Sequence, residues 1–301
     1  MTKQDISTNS FKAWYLALRP KTLTGAAAPI LIALSAAWKD LSLENRDFLW
    51  LPGLLCLAFA LLMQIDANFI NDYFDFKKGV DTEERLGPKR ACAQGWITLK
   101  AMKWGIILTT VLSCLIGLPL IQYGGIEMIG IGAICVVFSF LYTTTLARKG
   151  LGDLLVILFF GIVPVCITYY IQTKNLDATV FALSLAIGIA TDALLIVNNY
   201  RDRETDVHSG KKTLVVLIGY KTTERLYLFW GIIACMLCFS LFCKNQVFGA
   251  LLPLLYLFPH IQTWKEMCRI HKGKQLNQTL GKTARNIFIL ALLTSIGILI
   301  S

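Results

Sequence analysis

Nine apolar runs, each near the length needed to cross a bilayer, constrain this chain more than anything else it contains. They fall at roughly residues 23–38, 48–70, 104–121, 125–146, 151–171, 178–198, 226–243, 246–263 and 286–300. A helix needs about 20 mostly apolar residues to span the hydrocarbon core. Within lipid it must also satisfy its own backbone hydrogen bonds, which the helical ladder does. Composition agrees: 55% of the residues are hydrophobic and 16% charged, whereas soluble domains carry about a quarter charged residues. Mean hydropathy is +0.60. The expectation is an all-α integral membrane protein with nine transmembrane helices. The first run follows Lys12, Arg19 and Lys21, as a signal peptide would, but no small-residue cleavage pattern follows and eight more runs do. A retained first helix is therefore expected. No composition break divides residues 1–301, so they read as one domain, with residues 1–12 a flexible polar tail.

The net charge of +10 is unevenly spread. Of the 29 Lys and Arg residues, 25 lie in the amino-terminal tail and the connections after runs two, four, six and eight; the others are Lys39, Arg46, Lys174 and Lys244. The positive-inside rule then places the amino terminus and the even-numbered connections in the cytoplasm, in a multi-pass cell (inner) membrane protein with Ser301 outside. Contact with membrane lipid accounts for this charge, and no nucleic-acid partner is expected: no basic-aromatic RNA motif occurs. The seven Trp residues all fall near run ends, as in an aromatic belt. Cys235 and Cys238 sit inside an apolar run with no second pair, and three scattered His show no metal spacing.

Two polar stretches stand out, both just beyond apolar runs and both on the predicted cytoplasmic side. In the first, residues 68–90, Asn68 and Asp72 are four apart, Asp72 and Asp75 three, and Asn71 and Asp75 four, and Asp81 follows Gly79. Such steps stack oxygen-bearing side chains along one side of a helix. Lys77, Lys78, Lys89 and Arg90 lie close by. In the second, residues 198–212, Asn198, Asp202 and Asp206 repeat at steps of four, with Asn199, Arg201, Lys211 and Lys212 nearby. Asn71-Asp72-Tyr73-Phe74-Asp75 aligns with Asn198-Asn199-Tyr200-Arg201-Asp202, a degenerate internal repeat. Hard oxygen donors beside cations suit Mg2+ bound together with a polyphosphate.

Other features share that membrane side. Arg19-Pro20-Lys21-Thr22 opens the first run, with cations placed for head groups or a diphosphate. Leu86-Gly87-Pro88-Lys89-Arg90 breaks any continuing helix and folds the connection back as a lid. Run four ends at Tyr142, followed by Arg148 and Lys149. Asp192 lies within run six, where a carboxylate usually faces a polar interior.

At these residues the chain resembles the UbiA superfamily of intramembrane aromatic prenyltransferases. Asn68, Asp72, Asp75 and the downstream Asp81 match its first motif, N-x-x-x-D-x-x-D, and Asp202 and Asp206 match its second, D-x-x-x-D. Tyr142 matches the start of a Y-x-x-x-K motif; Leu146 stands at the Lys position, so Arg148 or Lys149 must replace the cation. Within the superfamily, Arg19-Pro20-Lys21-Thr22, Gly87-Pro88-x-Arg90 and Gly210-Lys211-Lys212-Thr213-Leu214 are similar to the 1,4-dihydroxy-2-naphthoate prenyltransferases of menaquinone biosynthesis. The resemblance implies a nine-helix bundle around a lipid-open chamber. It implies a Mg2+ cofactor held by Asn68, Asp72, Asp75, Asp81, Asp202 and Asp206. A polyprenyl diphosphate would be bound by Asn68, Asn71, Lys77, Lys89, Arg90, Asn198, Asn199, Arg201, Lys211 and Lys212. The catalytic set would be Asp72, Asp75, Asp202, Asp206, Tyr142 and Lys149, with Lys149 or Arg201 facing the carboxylate of the aromatic acceptor, and Tyr142 or Phe69 steadying an allylic cation.

Two other readings compete. One changes the acceptor, to 4-hydroxybenzoate or another dihydroxynaphthoate. The other is a transporter of a divalent cation or phosphorylated solute. Transporters place their sites near the midplane, often between inverted repeats; here both clusters lie at one face, on runs of the same direction, which favours an enzyme.

Overall fold

A backbone that cannot bond to lipid closes its hydrogen bonds along its own axis, and every apolar run here becomes a helix. The computed structural model describes residues 6–79 and 85–301. Among them are a short helix α1 (Phe11–Leu18) and nine helices long and apolar enough to cross a membrane: α2 (Pro20–Leu43), α3 (Trp50–Lys77), α4 (Leu99–Gly124), α5 (Glu127–Lys149), α6 (Gly152–Thr173), α7 (Ala178–His208), α8 (Tyr220–Lys244), α9 (Val247–Ile270) and α10 (Leu276–Ile300). No strand occurs among the described residues. Several helices outrun their apolar stretches. Helix α10 begins ten residues before residue 286, because polar Asn277, Thr279, Thr283 and Asn286 have partners or burial within the protein.

Helix α7 is the most buried span and the centre of the bundle. Its close approach to α6 depends on two glycines: a Cβ on Gly161 would lie 2.6 Å from Cα of Gly188 and overlap the Ser184 carbonyl. Small residues let backbones meet this way in membranes. At the far end, Lys244 bonds Asp40 and Asp177, each at 2.6 Å, and Tyr169 donates to Asp40 at 2.7 Å, tying α2, α6, α7 and α8 together. Two helices loosen where they face the interior. Tyr142–Leu146 of α5 and Leu158–Ile162 of α6 each widen into a π turn, a distortion common at functional sites.

Two sequence expectations change. Residues 6–12 of the expected flexible tail are docked: Asn9 N–H donates to the Trp96 carbonyl at 2.7 Å, and its side chain accepts from Thr98 N–H. Trp230 is no belt residue; its indole N–H donates to Asp192 at 2.8 Å inside the bundle.

Candidate active site

The end of α3 carries two polar faces. Asn71, Asp75 and Lys78 form one stripe and line the large cavity of the molecule. Asn68 and Asp72 form the other and do not. Asp72, 1% exposed, accepts from Ala91 N–H and Cys92 N–H, each at 2.9 Å, and holds down the chain returning from α3. Asn68 donates to the Leu18 carbonyl at 2.9 Å and to Thr22 Oγ at 3.0 Å. Asn68 was expected at the metal and diphosphate, and Asp72 at the metal and in the catalytic set; at 100° per residue, positions 68 and 72 turn away when 71, 75 and 78 face inward. Phe69 also turns away, packing on Trp14. Asp81 lies outside the described residues.

The end of α7 presents Asn198, Asn199, Asp202 and Asp206 to the same cavity. Arg201 is not on that surface. It is 2% exposed and bonds Asp202 at 2.5 and 2.7 Å, Asn198 at 2.8 Å and Asn277 of α10 at 2.8 Å. Asn277 in turn donates to the Leu86 carbonyl at 2.8 Å. The returning segment thus lies across α7 and α10, and Gly87 permits it: a Cβ there would be 2.9 Å from Nη2 of Arg201.

The cations sort in the same way. Arg90 pairs with Asp75 at 3.1 Å and Lys211 with Asp206 at 3.4 Å, both beside the cavity. Lys77, Lys89, Lys149 and Lys212 are exposed and outside it. Their neighbours Lys78 and Arg148 line it instead. Lys78 donates to the Thr144 carbonyl at 2.9 Å, a group at the π turn of α5. Sequence reasoning also left out Arg85 and Asp153, and gave Arg19 no firm role; all three line the cavity. Helical phase from Asn71 and Asp75 would have selected Lys78; no local signal marked Asp153. Burial and the neighbouring Arg90 push Arg19 down to about 9, although its guanidinium lies 3.9 Å from the Asp72 carboxylate.

The cavity measures about 1220 Å³. Its mouth, where α3 and α7 end, is polar. Its shaft is apolar, lined by Phe59, Met63, Val136 and Phe159. Leu118, Ile129 and Val137 line it and are also about half exposed, so it opens sideways between α4 and α5. A cationic, oxygen-rich mouth on a lipid-open apolar shaft takes an amphiphile with an anionic head.

A profile of the UbiA prenyltransferase family matches residues 26–278. The chain belongs to the UbiA family. Its UbiA relatives include the 1,4-dihydroxy-2-naphthoate octaprenyltransferases of Haemophilus influenzae, 35% identical over 85% of this chain and 87% of that protein, and of Escherichia coli, 33% identical over 100% and 99%. The fold is similar to that of a UbiA homolog from Archaeoglobus fulgidus bound to DMAPP and Mg2+, with a TM-score of 0.63 at 13% identity, covering 94% of this chain and 99% of that one.

The UbiA site fits magnesium in one form. No three His, Cys, Asp or Glu side chains among the described residues converge on a point. Magnesium usually takes one or two carboxylates and completes its shell with water and phosphate oxygens. Asp75, Asp202 and Asp206, spread over two helix ends with Asn71 and Asn198 beside them, match that mode and not an all-protein cage.

Proposed function

We propose that the protein transfers a polyprenyl chain from its diphosphate to 1,4-dihydroxy-2-naphthoate, with loss of the carboxylate as carbon dioxide, in menaquinone biosynthesis. The observation that carries this reading is the meeting of two Asn/Asp-bearing helix ends over an apolar, laterally open shaft. The names of the relatives supply the acceptor. Magnesium, held by Asp75, Asp202 and Asp206 with Asn71 and Asn198, would neutralise charge as the diphosphate leaves. Arg19, Lys78, Arg90 and Lys211 orient the diphosphate. The shaft holds the prenyl chain and keeps water from the allylic cation. Tyr142 offers that cation an aromatic face. Arg148, in place of Lys149, pairs with the acceptor carboxylate until it is lost, as charge-assisted pairs hold carboxylates best. Arg201 is excluded from that role because its donors are committed to Asp202, Asn198 and Asn277. The mouth faces the cytoplasm of the cell membrane.

Membranes containing the protein, given magnesium, a polyprenyl diphosphate and carboxyl-labelled dihydroxynaphthoate, should release labelled carbon dioxide and pyrophosphate and retain a prenylated naphthoquinol. Chelation of magnesium should stop both. Prenylation of 4-hydroxybenzoate with its carboxylate kept, and no turnover of the naphthoate, would overturn the acceptor assignment.

A further inference from the structure

Asp153, at the start of α6, lines the cavity yet is only 9% exposed. Its Oδ1 is buried and has no hydrogen-bond partner among the described residues. Buried polar atoms without partners are rare and call for an explanation. Around it lie Tyr142 of α5, whose ring is 3.9 Å from the place a Cβ on Gly152 would take, Asp192 of α7, and Lys211 beyond α7; the charge of Asp153 is felt at Tyr142 and Asp192, and that of Lys211 at Asp153. Asp192 is itself held by the Trp230 indole and lies off the cavity surface. Asp153 is thus the carboxylate on the cavity surface beside Tyr142 that is not committed to an Arg or Lys within hydrogen-bond distance among the described residues, unlike Asp75, Asp202 and Asp206.

The geometry points to Asp153 as the group that binds the acceptor's ring hydroxyl and carries its proton through the reaction. This rests on the acceptor proposed above. As the carbon bearing the carboxylate bonds to the allylic carbon and the carbon–oxygen bond to diphosphate breaks, the adjacent hydroxyl passes its proton to Asp153 and its oxygen becomes a ring carbonyl. A carboxylate next to such a carbonyl loses carbon dioxide readily, leaving its bonding pair in the ring. The oxygen then takes the proton back from Asp153 and the ring is aromatic again. Asp153 ends as it began, and the carboxylate's negative charge leaves on pyrophosphate. A carboxylate whose one oxygen awaits a donor suits a hydroxyl that must give up a proton and recover it.

The test uses the full chain in membranes, with kcat and KM for dihydroxynaphthoate measured from pH 6 to 10. Asp153→Asn should lower kcat by about a hundredfold or more at neutral pH, with magnesium-dependent binding of prenyl diphosphate within about twofold of wild type. Its rate should climb about tenfold per pH unit toward the ionisation of the acceptor hydroxyl, near pH 10 for an ordinary phenol, while the wild type does not. Asp153→Glu should recover much of the loss. A loss under about threefold, a loss equal at every pH, or loss of diphosphate binding in the Asn variant would overturn the proposal. Wild-type membranes that ignore dihydroxynaphthoate but prenylate another aromatic would remove the acceptor reading, and this one with it.

Discussion

Asp72 and Asp75 sit three residues apart in one motif and have different surroundings. Asp75 lines the cavity beside Arg90, whereas Asp72 is closed over by two backbone N–H groups. Asp75→Asn should therefore cost most of the activity, over a hundredfold, with little change in melting temperature in detergent. Asp72→Asn leaves one buried N–H short of its acceptor, about 1–3 kcal/mol, and should lower the melting temperature, with activity falling through displacement of residues 90–92. Equal kinetic losses and unchanged melting in both would mean that both bind metal. The same contrast applies to Arg148, on the cavity, and Lys149, exposed. Arg148→Ala should raise KM for the acceptor by roughly tenfold or more, in line with about 1.5–3 kcal/mol for a hydrogen bond to a charged group. Lys149→Ala should change it little.

At the scale of elements, the site depends on how α3, α7 and the segment between α3 and α4 lock together. Arg201 has no freedom to yield, being bonded to α7, α10 and, through Asn277, to Leu86. A methyl at Gly87 therefore meets a fixed guanidinium. Gly87→Ala should lift the segment, speed tryptic cleavage after Lys89 and lower activity at least tenfold; proteolysis time courses and turnover read both. An unchanged cleavage rate would show that Arg201 can repack. The internal repeat is a partial guide to this arrangement, since it also pairs Asp72, off the cavity, with Asn199, on it. It pairs Asn71 with Asn198 and Asp75 with Asp202, and all four line the cavity. Spacing alone also admitted Asn68 and Asp72, because steps of three and four connect both stripes of a helix.

For the whole molecule, the charge distribution carries the orientation proposed for the bundle. The mouth, with Lys78, Arg90, Arg148 and Lys211, lies at the end formed by the basic connections after α3, α5, α7 and α9. Single-cysteine variants can check this. Cys243 is exposed at the opposite end and should react with an impermeant thiol reagent in intact cells; Cys268 is half-buried at the mouth end and should react only after permeabilisation. Reversed labelling would invert the orientation. Cys92 is buried and offers no such probe.

The number of spans, the two polar clusters and the family were legible in the residues alone, because hydropathy and helical spacing act locally along the chain. The assignment of individual side chains was not. Whether position 72 or 75, 77 or 78, 148 or 149 meets the cavity depends on how far each helix is rotated against its neighbours. That rotation is set by packing between residues distant in sequence, such as Gly161 on Gly188 and Arg201 on Asn277. The unpartnered carboxylate of Asp153 is of the same kind: one acidic residue at a helix start in the sequence, and a poised group only once α5, α6 and α7 enclose it.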